Sequence, residues 1–192
     1  MELTRSAVEQ RAEEYREEEP LYEVEAEQVE TLPEAFAEGE FGRRDAEWVV
    51  RWYYRRFLGG VPHEERAAAE SRFEGNDFEA VLSAVETAAA SEADLREKLD
   101  ALTDLEGVDV PVASAFLQFV DPAIYVVLDE RTWTALGDLE LLATPYPDPP
   151  TPDDYETYLF TARALRADLG TDLWTLYRAL WRAWKEDHLD DG

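Results

Sequence analysis

The residues between 102 and 137 hold the types and spacing from which chemistry could be built. Leu105-Glu106-Gly107-Val108-Asp109 separates two apolar helical stretches and is too short to be anything but a tight turn. Pro111 suits the opening turn of the helix that follows. A hairpin of this kind presents backbone N–H groups at the second helix's N-terminus, an anion site that suits a phosphate. Further on, Asp129 follows the apolar run Val126-Val127-Leu128 and stands where another helix would open. A carboxylate in a partly dry cleft at a helix N-terminus stays ionised and sits where positive charge develops. Asp is equally a favoured N-cap, so the cap reading and the catalytic reading of Asp129 are both open. Arg131 is either a partner for nearby acids or a phosphate contact, and Trp133 is a core residue. Upstream, Arg51 and Arg55 are interleaved with aromatic residues in Trp48-Val-Val-Arg-Trp-Tyr-Tyr-Arg-Arg-Phe57. Such a pattern can track a nucleic-acid backbone and stack on bases. It also describes a core helix whose arginine stems cover aromatic faces, which is the commoner case.

Composition removes other chemistries. There are no cysteines, hence no disulfide, thiolate, zinc-cysteine or iron-sulfur chemistry. The two histidines, His63 and His188, are too far apart to suggest a metal pair. Forty-five acidic against 18 basic residues give a net charge of -27, yet six Trp, nine Tyr and eight Phe supply ample material for a core, so the chain is expected to fold. Only Lys98 and Lys185 among the basic residues are lysines. Loss of lysine together with gain of Asp and Glu fits a halophilic cytoplasm, where salt screens the self-repulsion. No apolar run has membrane-spanning length, and residues 1–20 lack the apolar core of a signal peptide. A cytoplasmic protein with no membrane partner is expected.

The elements that must position these residues read as helices almost throughout. Residues 1–40, with fourteen Glu against three Arg, suggest an acidic arm with one amphipathic helix behind Thr4, followed by an irregular or extended piece from Leu21 to Val29. Asp45 is the expected cap of the aromatic-arginine helix, which Gly59-Gly60 would stop. A polar helix covers 62–74; Asn76 with Glu79 and then Ser91 are the expected caps of the next two. Thr151-Pro152-Asp153-Asp154 is a strong helix start, Gly170 its end, and Thr171 or Asp172 the cap of a final aromatic helix. The spacing predicts eight or nine helices with a short extended link around Tyr125–Leu128. The parts are an arm over 1–40, a lobe over 41–125, and a second lobe over 126–192 completed by the N-terminal segment.

Leu105-Glu-Gly107-Val108-Asp109-Val-Pro111-Val-Ala113, followed by Val126-Val127-Leu128-Asp129-Glu-Arg131-Thr-Trp133, resembles the helix-hairpin-helix DNA glycosylases, in particular their 8-oxoguanine glycosylase-like branch. The family pattern is Leu-x-Gly-Val-Gly-x-x-x-Ala, an apolar helix, a short link, and an apolar residue and Asp opening the next helix. The resemblance covers roughly residues 90–137, with the hairpin unit at about 91–120. It implies an all-α, orthogonal multi-helix fold with two helical lobes and double-stranded DNA as partner. Gly107, Val108 and Asp109 would grip the DNA backbone, assisted by Arg131, Arg51 and Arg55. Backbone carbonyls of Thr103, Leu105 and Val108 would hold a monovalent cation, K+ or Na+, with no other cofactor. Asp129 would be the catalytic carboxylate acting on a flipped-out nucleotide.

Three departures qualify this expectation. Asp109 replaces the second hairpin glycine, Glu106 adds another carboxylate beside it, and Pro111 stands where bifunctional members have their Schiff-base lysine. The expected activity is therefore monofunctional base excision without a lyase step. The alternative is an inactive helix-hairpin-helix module that binds DNA or a protein.

Overall fold

Helix starts in this chain are set by side chains that accept the otherwise unpaired N–H groups of the first turn. In the computed structural model, which describes residues 3–189, ten helices result. They are α1 (Arg5–Glu18), α2 (Tyr22–Glu38), α3 (Arg43–Arg55), α4 (His63–Glu74), α5 (Phe78–Ala89), α6 (Leu95–Thr103), α7 (Val110–Val120), α8 (Glu130–Asp138), α9 (Pro152–Leu169) and α10 (Leu173–Leu189). No strand occurs among the described residues, and none of their helices is long and apolar enough to cross a membrane.

The central element is α7. Its sequence, Val-Pro-Val-Ala-Ser-Ala-Phe-Leu-Gln-Phe-Val, is apolar nearly all round, and all eleven residues are buried, as expected of a helix with no solvent face. Helices α2, α3, α5, α6 and α9 pack against it. A second packing centre is α10, which lies along α1 and contacts α8 and α9.

Several local expectations are corrected. The acidic first 40 residues are two helices built into the body. Val8, Ala12 and Tyr15 of α1 are its buried stripe, and the piece from Leu21 to Val29, expected to be irregular or extended, is instead the start of α2, which buries Leu32 and Phe36. Asp45 sits in the first turn of α3, where its carboxylate accepts the Gly42 N–H at 2.7 Å. Asp94 caps α6 in place of Ser91, because Glu97 can reach back to the Asp94 N–H and close a reciprocal pair. Asp77 caps α5, which leaves Asn76 for another task.

The link over 125–128, expected to be extended, belongs to no helix and no sheet. Its backbone groups are satisfied by buried side chains of the flanking helices. Gln118 Oε1 accepts the Val127 N–H at 3.0 Å and Ser114 Oγ accepts the Leu128 N–H at 2.8 Å. From the other side the Tyr155 and Tyr158 hydroxyls donate to the carbonyls of Val126 and Val127. A buried link has to find partners for each of these groups, and here α7 and α9 supply them.

Candidate functional site

Asp129 is the N-cap of α8 and is 0 % exposed. Its Oδ1 accepts the Thr132 N–H at 2.8 Å and the Thr132 hydroxyl at 3.1 Å. Its Oδ2 accepts from Arg56 Nη2 at 2.9 Å. The Tyr158 hydroxyl of α9 lies 2.9 Å from Thr132 Oγ1, so the carboxylate's partner is itself in contact with a second helix. Both oxygens are thus engaged, and the charge is matched by a guanidinium.

Arg56, just beyond the C-terminus of α3, is 2 % exposed. Rings of Trp52, Tyr53 and Phe57 lie 4.5–4.9 Å from its guanidinium carbon, with Tyr177 and Trp181 at 5.9 and 5.6 Å. Weakly hydrated, planar arginine tolerates such a box far better than lysine would. A second buried acid lies on the same wall. Glu25 of α2 accepts the Trp52 indole N–H at 2.8 Å and the Tyr15 hydroxyl at 2.9 Å. Burial raises its pKa, against the lowering effect of these two hydrogen bonds and of Arg56.

The hairpin is clasped from within. Gly107 has φ +81°, and a Cβ there would lie 2.7 Å from the Ala69 carbonyl oxygen and 2.8 Å from the Phe73 nitrogen of α4. Asn76 brackets the turn, donating to Glu106 O at 2.9 Å and accepting from Glu106 N at 3.0 Å. At the start of α7, Asp109 accepts the Val112 N–H at 2.9 Å, so the helix N-terminus already holds a carboxylate where a phosphate would sit. Pro111 has no N–H to give. Of the carbonyls expected to hold a monovalent cation, Leu105 O already accepts the Val108 N–H at 3.2 Å, which spends one of its lone pairs inside the turn.

Two arginines of α3 are paired with acids of the same molecule. Arg51 pairs with Glu47 at 3.0 Å and with Glu74 of α4 at 2.9 Å. Arg55 reaches Glu70 of α4 at 3.4 Å. Arg131 is different: its guanidinium carbon stands 4.4 Å from the Trp181 ring, 4.5 Å from Trp184 and 5.2 Å from Phe57, with no carboxylate in ion-pairing range among the described residues. Partial burial lowers its pKa.

These elements enclose a cleft of about 450 Å³. Tyr53, Tyr54 and Phe57 form one wall and Tyr146, Pro149 and Pro150 another; Arg131 and Trp184 contribute from α8 and α10, and Asp109 and Pro111 from the hairpin side. Glu65, Glu130 and Asp148 complete its polar lining. Of the sequence-derived site residues, Asp109 and Arg131 line this cleft. Asp129 lies behind it, next to Glu130 and Arg131, and is not part of its surface. Arg51 and Arg55 face α4.

Sequence reasoning missed Arg56, Ser114, Gln118 and Tyr158. A signal existed for the first three. Arg56 falls in phase with the buried positions Val49, Trp52 and Tyr53 of α3, and Ser114 and Gln118 are four residues apart on an otherwise apolar helix. Polar residues in phase with a core stripe are committed to inside partners. Comparison of the chain with protein-family models, with curated proteins and with solved structures returns no match.

Proposed function

We propose that the protein is a helix-hairpin-helix module of DNA-glycosylase-like architecture that binds a ligand in the cleft above Asp129 and does not excise bases. The observation that carries this reading is the enclosure of Asp129. To stabilise an oxocarbenium-like sugar or to activate water, a carboxylate must come within about 3–3.5 Å of the reacting atoms. Asp129 instead has no exposed surface, both oxygens are hydrogen-bonded, and Arg56 already compensates its charge at 2.9 Å. The field that would favour a developing cation is cancelled at its source.

The lysines bear on the lyase step alone. Lys98 is buried against the carbonyls of Ala88 and Ala90, each at 2.5 Å, and Lys185 pairs with Glu19 at 2.7 Å, so neither offers a Schiff-base amine to the cleft. The N–H groups of Glu106, Val108 and Val112 already have acceptors within the protein, and Arg51 and Arg55 are paired with acids of their own, which weakens a duplex-DNA grip there and favours the cleft as the binding surface. Its volume is in the range of small-molecule sites.

Duplexes carrying 8-oxoguanine, an alkylated purine or uracil, incubated with the protein in concentrated KCl, are expected to yield no abasic product. Product that disappears in Asp129→Asn would restore the hydrolase reading and would mean that the Arg56 pair opens when substrate arrives.

A further inference from the structure

Arg131 is the feature that binding in general does not explain. In a chain with 45 acidic and 18 basic residues, Arg51, Arg55, Arg56 and Arg66 pair with carboxylates, and Arg43, Arg163 and Arg178 donate to carbonyl or hydroxyl oxygens, whereas Arg131 makes neither kind of bond among the described residues. The Arg131 guanidinium stacks on aromatic rings and lines the cleft without such a partner among the described residues. Stacking holds the plane and leaves the N–H edge for a planar anion such as a carboxylate, which a guanidinium can bind through two parallel hydrogen bonds.

The rest of the lining restricts what that anion can belong to. Glu65, Asp109, Glu130 and Asp148 give the cleft an excess of negative charge over Arg131. A phosphate dianion or a simple dicarboxylate would be repelled by it. A monocarboxylate becomes acceptable when its own molecule brings compensating positive charge. Tyr53, Tyr54 and Tyr146 offer π faces beside these carboxylates, and a cation over such a face is stabilised, more so where water is partly excluded.

We infer that the ligand of this cleft is a small basic amino acid or a close derivative, with its carboxylate on Arg131 and its cationic end among the tyrosine rings and the rim carboxylates. The inference rests on the reading of the cleft as a binding site. It also accounts for the absence of a carboxylate partner on Arg131, because an internal partner would occupy the position the ligand's carboxylate takes.

The test is isothermal titration calorimetry of the full chain in concentrated KCl with two probes that differ only at the carboxylate, L-arginine and agmatine. L-arginine is expected to bind at least tenfold more tightly than agmatine. Arg131→Gln should reduce L-arginine to the agmatine level and leave agmatine unchanged. The comparison on the unaltered protein stands even if the variant does not fold. Equal binding of the two probes, no binding of either, or an Arg131→Gln protein that is folded and retains the preference would each overturn the inference. Absence of binding together with absence of abasic product would remove this ligand class alone, whereas abasic product would remove the underlying reading.

Discussion

Glu25 shows what a single side chain contributes in this molecule. Removed from water, its carboxylate is harder to ionise than in the unfolded chain, and the hydrogen bonds from Trp52 and Tyr15 offset only part of that cost. Its folded pKa is raised, so the native state holds this proton more tightly than the unfolded state. Below the ordinary carboxylate range both states are protonated and no pH dependence arises. As pH rises through the ordinary value towards the raised one, the unfolded state ionises first and native stability falls; above that window the loss is complete. Glu25→Gln keeps an acceptor for the Trp52 indole and a donor for the Tyr15 oxygen but cannot titrate. The stability of the variant relative to the parent should therefore increase with pH across the window and then level off. Denaturant unfolding of both proteins at a series of pH values would measure this, and a difference that is flat or that shrinks with rising pH would contradict the raised pKa.

Between residues and whole helices, the hairpin is the element whose role was only half legible. Its tightness follows from the five residues between two apolar helices, with Gly107 at the turn, whereas Asp109, which the sequence shows only as a carboxylate in place of a hairpin glycine, is the N-cap of α7. What could not be read is that α4 covers the turn, because that contact joins residues about 35 positions apart with no complementary pattern in either. Asn76 illustrates the same limit. It looks like a helix cap, but its neighbour Asp77 takes that place and frees the amide to hold Glu106 from both sides. The starts of α9 and α10, by contrast, were legible at Thr151 and at Thr171 or Asp172, since the capping residues are local; of the latter two it is Asp172 that accepts the Thr175 N–H. Two glycines separate backbone conformation from packing here. Gly107 at φ +81° and Gly59 at φ +95° both favour glycine, but only at Gly107 would a Cβ meet another helix. Gly59→Ala should cost about 1 kcal/mol for the left-handed backbone. Gly107→Ala should cost that and roughly 2 kcal/mol more, from the overpacking against Ala69 and Phe73. Equal destabilisation of the two variants in thermal or denaturant unfolding would mean that α4 yields freely and does not clasp the hairpin.

For the molecule as a whole, two electrostatic effects respond to salt in opposite directions, and their magnitudes decide the outcome. Ion pairs knit the N-terminal segment to α10: Arg11 with Glu186 at 3.0 Å, Arg182 with Glu18 at 2.9 Å, and Lys185 with Glu19 at 2.7 Å. Partly exposed pairs of this kind contribute about 0–1 kcal/mol each, and salt weakens them. Against them stands the repulsion of an excess of 27 negative charges, spread over a surface on which most carboxylates have no cation to neutralise them. The screening length is about 10 Å at 0.1 M salt and about 3 Å at 1 M, so moving to molar KCl removes most of the repulsion between exposed acids. The buried Arg56–Asp129 pair, shielded from water, is little affected. Repulsion among so many groups outweighs three seam pairs, and the melting temperature should rise by about 10 °C or more between 0.1 and 2 M KCl, given about 2–4 °C per kcal/mol for a chain of this size. Calorimetric scans in KCl, with sucrose as an uncharged comparison, would separate screening from general exclusion at the surface. A melting temperature that falls with KCl would show that the α1–α10 seam dominates, and one that rises equally in sucrose would show that charge screening is not the cause.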